Sequence, residues 1–301
     1  MSDAAVQPRY RRFSVSDRLE HWVQVVAFTG LAVTGLIQMW SEGWFATAII
    51  GALGGINSTR VIHRSFAIIV LVAVAYHVGT AGYRFFVLRS GRQMLPGLDD
   101  GRAAARSLAF NLGFSSEPAY EGRFTFAEKL EYWSIVWGTV LMAVTGLMMW
   151  NPIATTSILS GEFIPAAKAA HGAEAVLAVL AILIWHTYFV HVKEFNTSMM
   201  DGYLSEEAMA AEHPAELDAI KAGDDVVITP PETLQRRRRW FFPTYGAIVV
   251  LAAVFLVAFL TYQDGTITTV QPQGNQVEIF TPYTPTTVPS SADAAPPTVA
   301  P

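Results

Sequence analysis

Arg12–Leu36 reads RFSVSDRLEHWVQVVAFTGLAVTGL, and it aligns without a gap onto Arg123–Leu147, RFTFAEKLEYWSIVWGTVLMAVTGL. Both copies open on Arg-Phe, keep Leu-Glu and a Trp, and close on Ala-Val-Thr-Gly-Leu. Shared amphipathic bias does not produce ungapped identity at Trp22/Trp133 and at Thr34-Gly35/Thr145-Gly146, so the chain contains an internal duplication. Each copy runs from a polar start into an apolar stretch of about 20 residues, the length a bilayer core demands. Each is followed by a second apolar segment with two histidines, His63 and His77 in the first repeat and His171 and His186 in the second.

Working outward, five spans emerge, at approximately His21–Trp40, His63–Phe85, Tyr132–Trp150, His171–His191 and Phe241–Tyr262. The 301 residues are 52% hydrophobic and 15% charged, outside ordinary soluble usage. The expected fold is an all-α integral membrane protein. Its core is a four-helix bundle of two helical-hairpin repeats in the same orientation, related by an axis along the membrane normal, and a fifth helix stands beside it. Expected boundaries are a polar N-terminus at 1–19, the core at 20–195 with repeats at about 12–90 and 123–195, a polar loop at 196–240, the fifth span at 241–262 and a Pro/Thr-rich tail at 263–301. The start, Met1–Arg18, is polar and basic without an early apolar run, so the first span is expected to act as an uncleaved anchor.

Basic residues set the orientation. Arg9, Arg11, Arg12 and Arg18 precede span one, while Arg84, Arg89, Arg92, Arg102, Arg106, Arg123 and Lys129 lie between or beside the ends of spans two and three. Arg236–Arg239 precede span five. The other two connections carry little beyond Arg60, Arg64 and Lys168. By the positive-inside rule the N-terminus faces the cytoplasm and the C-terminus the outside of a bacterial cell membrane. His63 and His171 then lie near the outer surface, and His21, His77 and His186 near the inner one.

Ionisable side chains within a bilayer are costly and usually functional. The histidine spacings of 14 and 15 residues correspond to roughly 21–22 Å along a helix, and bring the rings within roughly 40–60° of one face. That suits two haems, one near each surface. Cysteine is absent, which excludes thioether-linked haem and cysteine-held iron–sulfur clusters and makes any haem b-type. Within the spans no convergent set of carboxylates or thiolates accompanies these histidines, as a zinc or di-iron bundle would need. His63 with His171 is the expected outer pair. The inner haem has three candidate ligands: symmetry favours His77 with His186, because the counterpart of His21 in the second repeat is Tyr132. Gly35 and Gly146 leave room for a macrocycle or for a neighbouring helix. His191 is expected at the interface and His213 in solvent.

Further motifs give a family resemblance. R-L-E-H-W at Arg18–Trp22, I-H-R at Ile62–Arg64, and A-H-G with W-H-T-Y within Ala170–Tyr188 resemble the membrane cytochrome b subunit of respiratory formate dehydrogenases and nickel–iron hydrogenases. So do Gly122-Arg-Phe, Glu128-Lys, Tyr132-Trp133, Val144-Thr-Gly, Trp150-x-Pro152, Met200-Asp-Gly and Glu212-His-Pro214, over roughly residues 11–221. The resemblance implies a four-helix bundle with two haem b groups, the outer on His63 and His171, the inner on His21 and His186. His77 departs from the pattern, as an alternative inner ligand or a hydrogen-bonding neighbour of a propionate or quinone. The 15-residue spacing of His171 and His186 is one longer than expected and suggests a local bulge near Trp185.

The resemblance also implies menaquinone or ubiquinone as electron carrier near the inner haem, with Thr125, Glu128, Glu131 and Tyr132 in its vicinity and Asp17 and Glu20 nearby. Expected partners are membrane lipid, the quinone and an extracytoplasmic iron–sulfur or multihaem c-type redox subunit; nucleic acid is not expected. The chain then serves as an electron-transfer subunit rather than a self-sufficient enzyme. Competing classes are a non-redox anchor or assembly subunit, a proton-relay transporter, and a stand-alone transmembrane haem reductase. Haem in the purified chain separates the redox readings from the others.

Overall fold

The computed structural model describes residues 8–116, 119–193, 195–223 and 229–263. The tail expected at 263–301 thus lies, from residue 264 onward, outside the described residues. Five helices are long and apolar enough to cross a membrane: Val15–Met39, Ile56–Leu88, Phe126–Trp150, Phe163–Val192 and Pro231–Thr261.

The first of these, α1 (Val15–Met39), starts about two turns before the expected span because its polar first turn is capped. The Ser14 side chain accepts from the Asp17 N–H at 3.2 Å, and Asp17 accepts from the Ser14 N–H at 2.9 Å, satisfying donors a helix start leaves open. A short apolar helix, α2 (Trp44–Ala52), leads to α3 (Ile56–Gly82) through Gly54 and Gly55 at φ +88° and +97°, left-handed values that favour glycine. A π-helical turn, Tyr83–Leu88, extends α3.

The surface helix α4 (Leu98–Asn111) precedes α5 (Phe126–Trp150). Thr125 and Glu128 cap α5 with the same reciprocal box, at 3.1 and 2.8 Å. A corner helix, α6 (Pro152–Thr156), then turns the chain into α7 (Phe163–Leu180), which continues through π-helical turns at Ala181–His186 and Tyr188–Lys193. A π turn takes one extra residue into a helix, and Ala181–His186 falls where the long histidine spacing suggests a bulge.

The main helix contacts are α1 with α3 and α5 with α7, one hairpin per repeat, joined through α1 and α7. At the end where α1 and α5 begin, here the inner end, strand β1 (Arg9–Arg11) pairs antiparallel with β2 (Tyr203–Ser205), Tyr10 opposite Leu204. Three short helices complete this cap: α8 (Ser198–Asp201), α9 (Glu206–Glu212) and α10 (Pro214–Ala222). Leu204, Met209 and Leu217 form its apolar core. Arg12, with its side chain 1% exposed, and Arg123 hold opposite oxygens of Glu216 at 2.6 and 2.5 Å, so one carboxylate of α10 joins the two repeats.

The fifth long helix, α11 (Pro231–Thr261), begins about three turns before the expected span and carries the arginine run into helix. It docks along α3. Tyr245 lies over Gly79, where a Cβ would stand 2.7 Å from its ring. Arg237 and Arg238 reach the Val87 carbonyl and the Tyr83 hydroxyl at 2.8 and 2.7 Å. At the far end, the Asn151 amide donates to the carbonyls of Phe259 and Tyr262 at 2.8 and 2.9 Å.

Candidate functional site

Two layers of histidine lie inside the bundle. In the outer layer, α3 and α7 bring His63 and His171 together with ring centroids 6.5 Å apart. Their orientation is fixed from the other hairpin helices. Thr34 Oγ1 donates to the Gly30 carbonyl at 2.6 Å and lies 2.9 Å from His63 Nδ1, so it accepts the imidazole N–H. Thr145 does the same, donating to Leu141 at 2.6 Å and accepting from His171 Nδ1 at 2.9 Å. A proton on Nδ1 leaves the Nε2 lone pair free, the tautomer metal ligation uses. A Cβ on Gly35 or Gly146 would stand 3.2 or 3.3 Å from the Cε1 of His63 or His171, so both glycines clear the imidazoles.

The inner layer pairs α1 with α7. His21 faces His186 with centroids 6.3 Å apart. His186 Nδ1 bonds Glu131, which again leaves Nε2 free. His21 Nδ1 is buried and meets no hydrogen-bond partner among the described residues, which costs roughly 1–3 kcal/mol unless something satisfies it. His77 is placed differently: its Nδ1 lies 2.8 Å from Glu20 Oε2, and its Nε2 lies 2.9 Å from the Tyr132 hydroxyl. The symmetric pairing of His77 with His186 is thus replaced by two pairs, His21 with His186 and His77 with Tyr132. The cause is visible in the repeats, since the single helix position that should supply two histidines supplies His21 and Tyr132.

These geometries fit haem. Metal–imidazole bonds are about 2.0–2.1 Å, so two imidazoles on opposite faces of one iron have centroids about 6 Å apart. Both histidine pairs meet that separation. Two cations add to the fit. Arg18, one turn before His21, donates to the Met200 carbonyl at 2.6 Å but has a buried Nε without a partner. Arg64 lies 5.0 Å over the Trp150 ring, and neither arginine forms an ion pair among the described residues.

The other candidates separate into two groups. Glu131 and Tyr132 touch the inner histidines. Thr125 and Glu128 belong to the α5 cap, with Glu128 also 3.3 Å from Arg12, and Asp17 pairs with Arg84. His191 is exposed near Phe195. His213, expected in solvent, is instead 1% exposed and donates from Nδ1 to the Gly122 carbonyl at 3.0 Å. The loop folds back as α9 and α10 over the start of α5, and so encloses it. Burial lowers the His213 pKa, with the charge on Arg12 adding to the effect.

Several residues gain a role only through the fold. Thr34 and Thr145 were visible only as part of a conserved repeat motif, and Glu216 carried no signal at all. Glu174 did carry one, a carboxylate within an apolar span. It sits one turn beyond His171, with its Oε1 against Gly138.

Known proteins share this arrangement of sequence. The chain is 23% identical over 206 residues to the cytochrome b556(fdo) subunit of formate dehydrogenase from Escherichia coli (strain K12), covering 67% of this chain and 89% of that one. It is 24% identical over 204 residues to the nitrate-inducible cytochrome b556(Fdn) subunit of the same organism, covering 66% and 85%. The formate dehydrogenase cytochrome b556 subunit of Haemophilus influenzae is 23% identical over 207 residues, covering 68% and 81%. Residues 12–202, the two repeats with both histidine layers, match the family described as prokaryotic cytochrome b561, and the chain belongs to that family.

Proposed function

We propose that this chain is the di-haem b subunit of a respiratory membrane oxidoreductase, passing electrons between a redox subunit on the outer face and menaquinone or ubiquinone near the cytoplasmic face. The observation that carries the reading is the pair of facing imidazole couples, one in each layer, at 6.5 and 6.3 Å. His63 and His171 hold the outer haem, and His21 and His186 the inner one. Haem supplies one-electron iron chemistry at a potential that ligand and surroundings tune.

The chain's own groups position these ligands. Thr34, Thr145 and Glu131 hold three of the imidazoles in the Nδ1–H tautomer. Arg18 and Arg64 supply positive charge for propionates at the inner and outer ends. The basic residues at the inner end, Arg12 and Arg123 in the cap and the arginines at the start of α11, support reading that end as cytoplasmic by the positive-inside rule. Quinone exchanges electrons beside the inner layer, where Glu131 and Tyr132 present polar groups at the start of α5. Electrons then cross the bilayer while protons enter or leave on the cytoplasmic side, so the transfer is electrogenic. The relatives are subunits of formate dehydrogenases, which supports an extracytoplasmic redox subunit, iron–sulfur or multihaem c-type, as the outer partner.

The test is a reduced-minus-oxidised spectrum with pyridine haemochrome quantitation on the purified wild type, His21→Ala and His77→Ala. Two b haems per chain are expected in the wild type and in His77→Ala, and one in His21→Ala. A wild type without haem overturns the electron-transfer reading. Loss in His77→Ala alone moves the inner site to that residue.

A further inference from the structure

The repeats make the inner layer a controlled comparison. Glu20 and Glu131 occupy equivalent positions of the aligned repeats, as do Thr34 and Thr145. Their contacts are equivalent too. Thr34 meets His63 as Thr145 meets His171, both at 2.9 Å. Glu20 meets His77 Nδ1 at 2.8 Å, as Glu131 meets His186 Nδ1. One position breaks the rule: His21, which faces His186, corresponds to Tyr132, which faces His77.

His77 is thus dressed as a metal ligand. A carboxylate on Nδ1 aims Nε2 across the bundle, the arrangement that orients ligating histidines. What Nε2 meets is the Tyr132 hydroxyl at 2.9 Å, with ring centroids 5.8 Å apart. That hydroxyl donates to the nitrogen that would otherwise bind iron, and the phenol ring stands where the opposite imidazole would be.

We propose that His77 and position 132 form a second, latent inner haem b site, and that Tyr132 is the residue that closes it and assigns the inner haem to His21 and His186. The inference rests on the reading of those two histidines as the inner ligands. Imidazole is shorter than phenol, so Tyr132→His widens the gap from 5.8 Å toward the 6.3 Å of the native pair while supplying the missing ligand.

The experiment uses the full chain purified from haem-replete cells, with haemochrome stoichiometry and low-temperature EPR of the low-spin ferric haems. The outer haem serves as an internal control of folding in every variant. His21→Ala is expected to bind one haem, His21→Ala/Tyr132→His two, and His21→Ala/Tyr132→His/His77→Ala one again. A double variant that keeps the outer haem but stays at one overturns the proposal. So does His21→Ala retaining two haems, which removes the premise and is told apart by failing before Tyr132 is touched. Should the double variant lose both haems, Tyr132→His alone decides. It is expected to show two inner low-spin signals in place of one, and an unchanged single signal overturns the proposal.

Discussion

The outer and inner histidine layers were built from the same duplicated hairpin, yet only the outer one kept the symmetry. At the outer layer each repeat supplies one histidine, one threonine and one glycine; the threonine contacts are both 2.9 Å, and a Cβ on either glycine would stand 3.2 or 3.3 Å from the imidazole. At the inner layer each repeat supplies a carboxylate and a histidine, but a single His-to-Tyr difference leaves one facing imidazole pair and one phenol-locked histidine. The same asymmetry extends into the cap, where the two repeat arginines share Glu216. The threonine and carboxylate contacts to histidine match in both hairpins. Ligation needs one residue of the right kind, and a single exchange redirects it.

Four measurements sharpen or break this contrast. The largest effect is expected from His171→Ala, which removes the outer haem entirely and leaves the inner spectrum in place, read by haemochrome stoichiometry. Loss of both haems would show that the layers are not separable units.

Next comes Glu216→Gln. Removing one partner of a buried ion pair costs about 3–5 kcal/mol, and this carboxylate serves both Arg12 and Arg123. The detergent-solubilised protein should unfold at distinctly lower denaturant, while the outer haem spectrum before unfolding stays unchanged. A stability equal to wild type would show that the cap does not join the repeats.

Third, Glu131→Gln should weaken retention of the inner haem by about 10–100-fold, the usual cost of losing a partner to a metal-bound histidine, and should raise its midpoint potential. Thr145→Val at the outer layer is expected to do less, because a neutral acceptor polarises the imidazole more weakly than a carboxylate. Equal shifts at both layers would erase the distinction between them.

The smallest effect concerns pH. Burial lowers the His213 pKa in the folded chain, and Arg12 adds repulsion. The unfolded chain therefore takes up a proton near pH 6.5 that the folded chain does not. With more protons bound to the unfolded state, this contribution to stability is complete above about pH 6.5 and is lost as pH falls below it. The unfolding midpoint should drop between about pH 7.5 and 5.5, and His213→Gln should flatten that dependence. A drop of the same size in the variant would assign it to other groups.

Much of the architecture was legible before any coordinates, because it rests on local rules. Span length and the duplication specify a helical membrane bundle, and the absence of cysteine leaves histidine as the candidate ligand for a b-type haem. The helices begin before the expected spans because apolar runs mark the bilayer, while caps such as Ser14–Asp17 and Thr125–Glu128 mark the helices. Thr125 and Glu128 form the α5 cap, while Glu131 and Tyr132 touch the inner histidines. His213 was misjudged because a polar loop reads as solvated until its helices are seen to fold back on α5.

The sequence by itself determined the five spans, the repeat, the candidate histidines and their two depths, since period, length and residue type are carried by neighbours along the chain. Only the tertiary structure decided which imidazole faces which: His21 opposite His186, His77 against Tyr132 and Glu20, and the threonines behind His63 and His171. Those contacts join helices 26 to 165 residues apart in sequence, as from Thr145 to His171 and from His21 to His186. Helical periodicity gives each residue's face on its own helix. Which faces meet is set by the packing of all four.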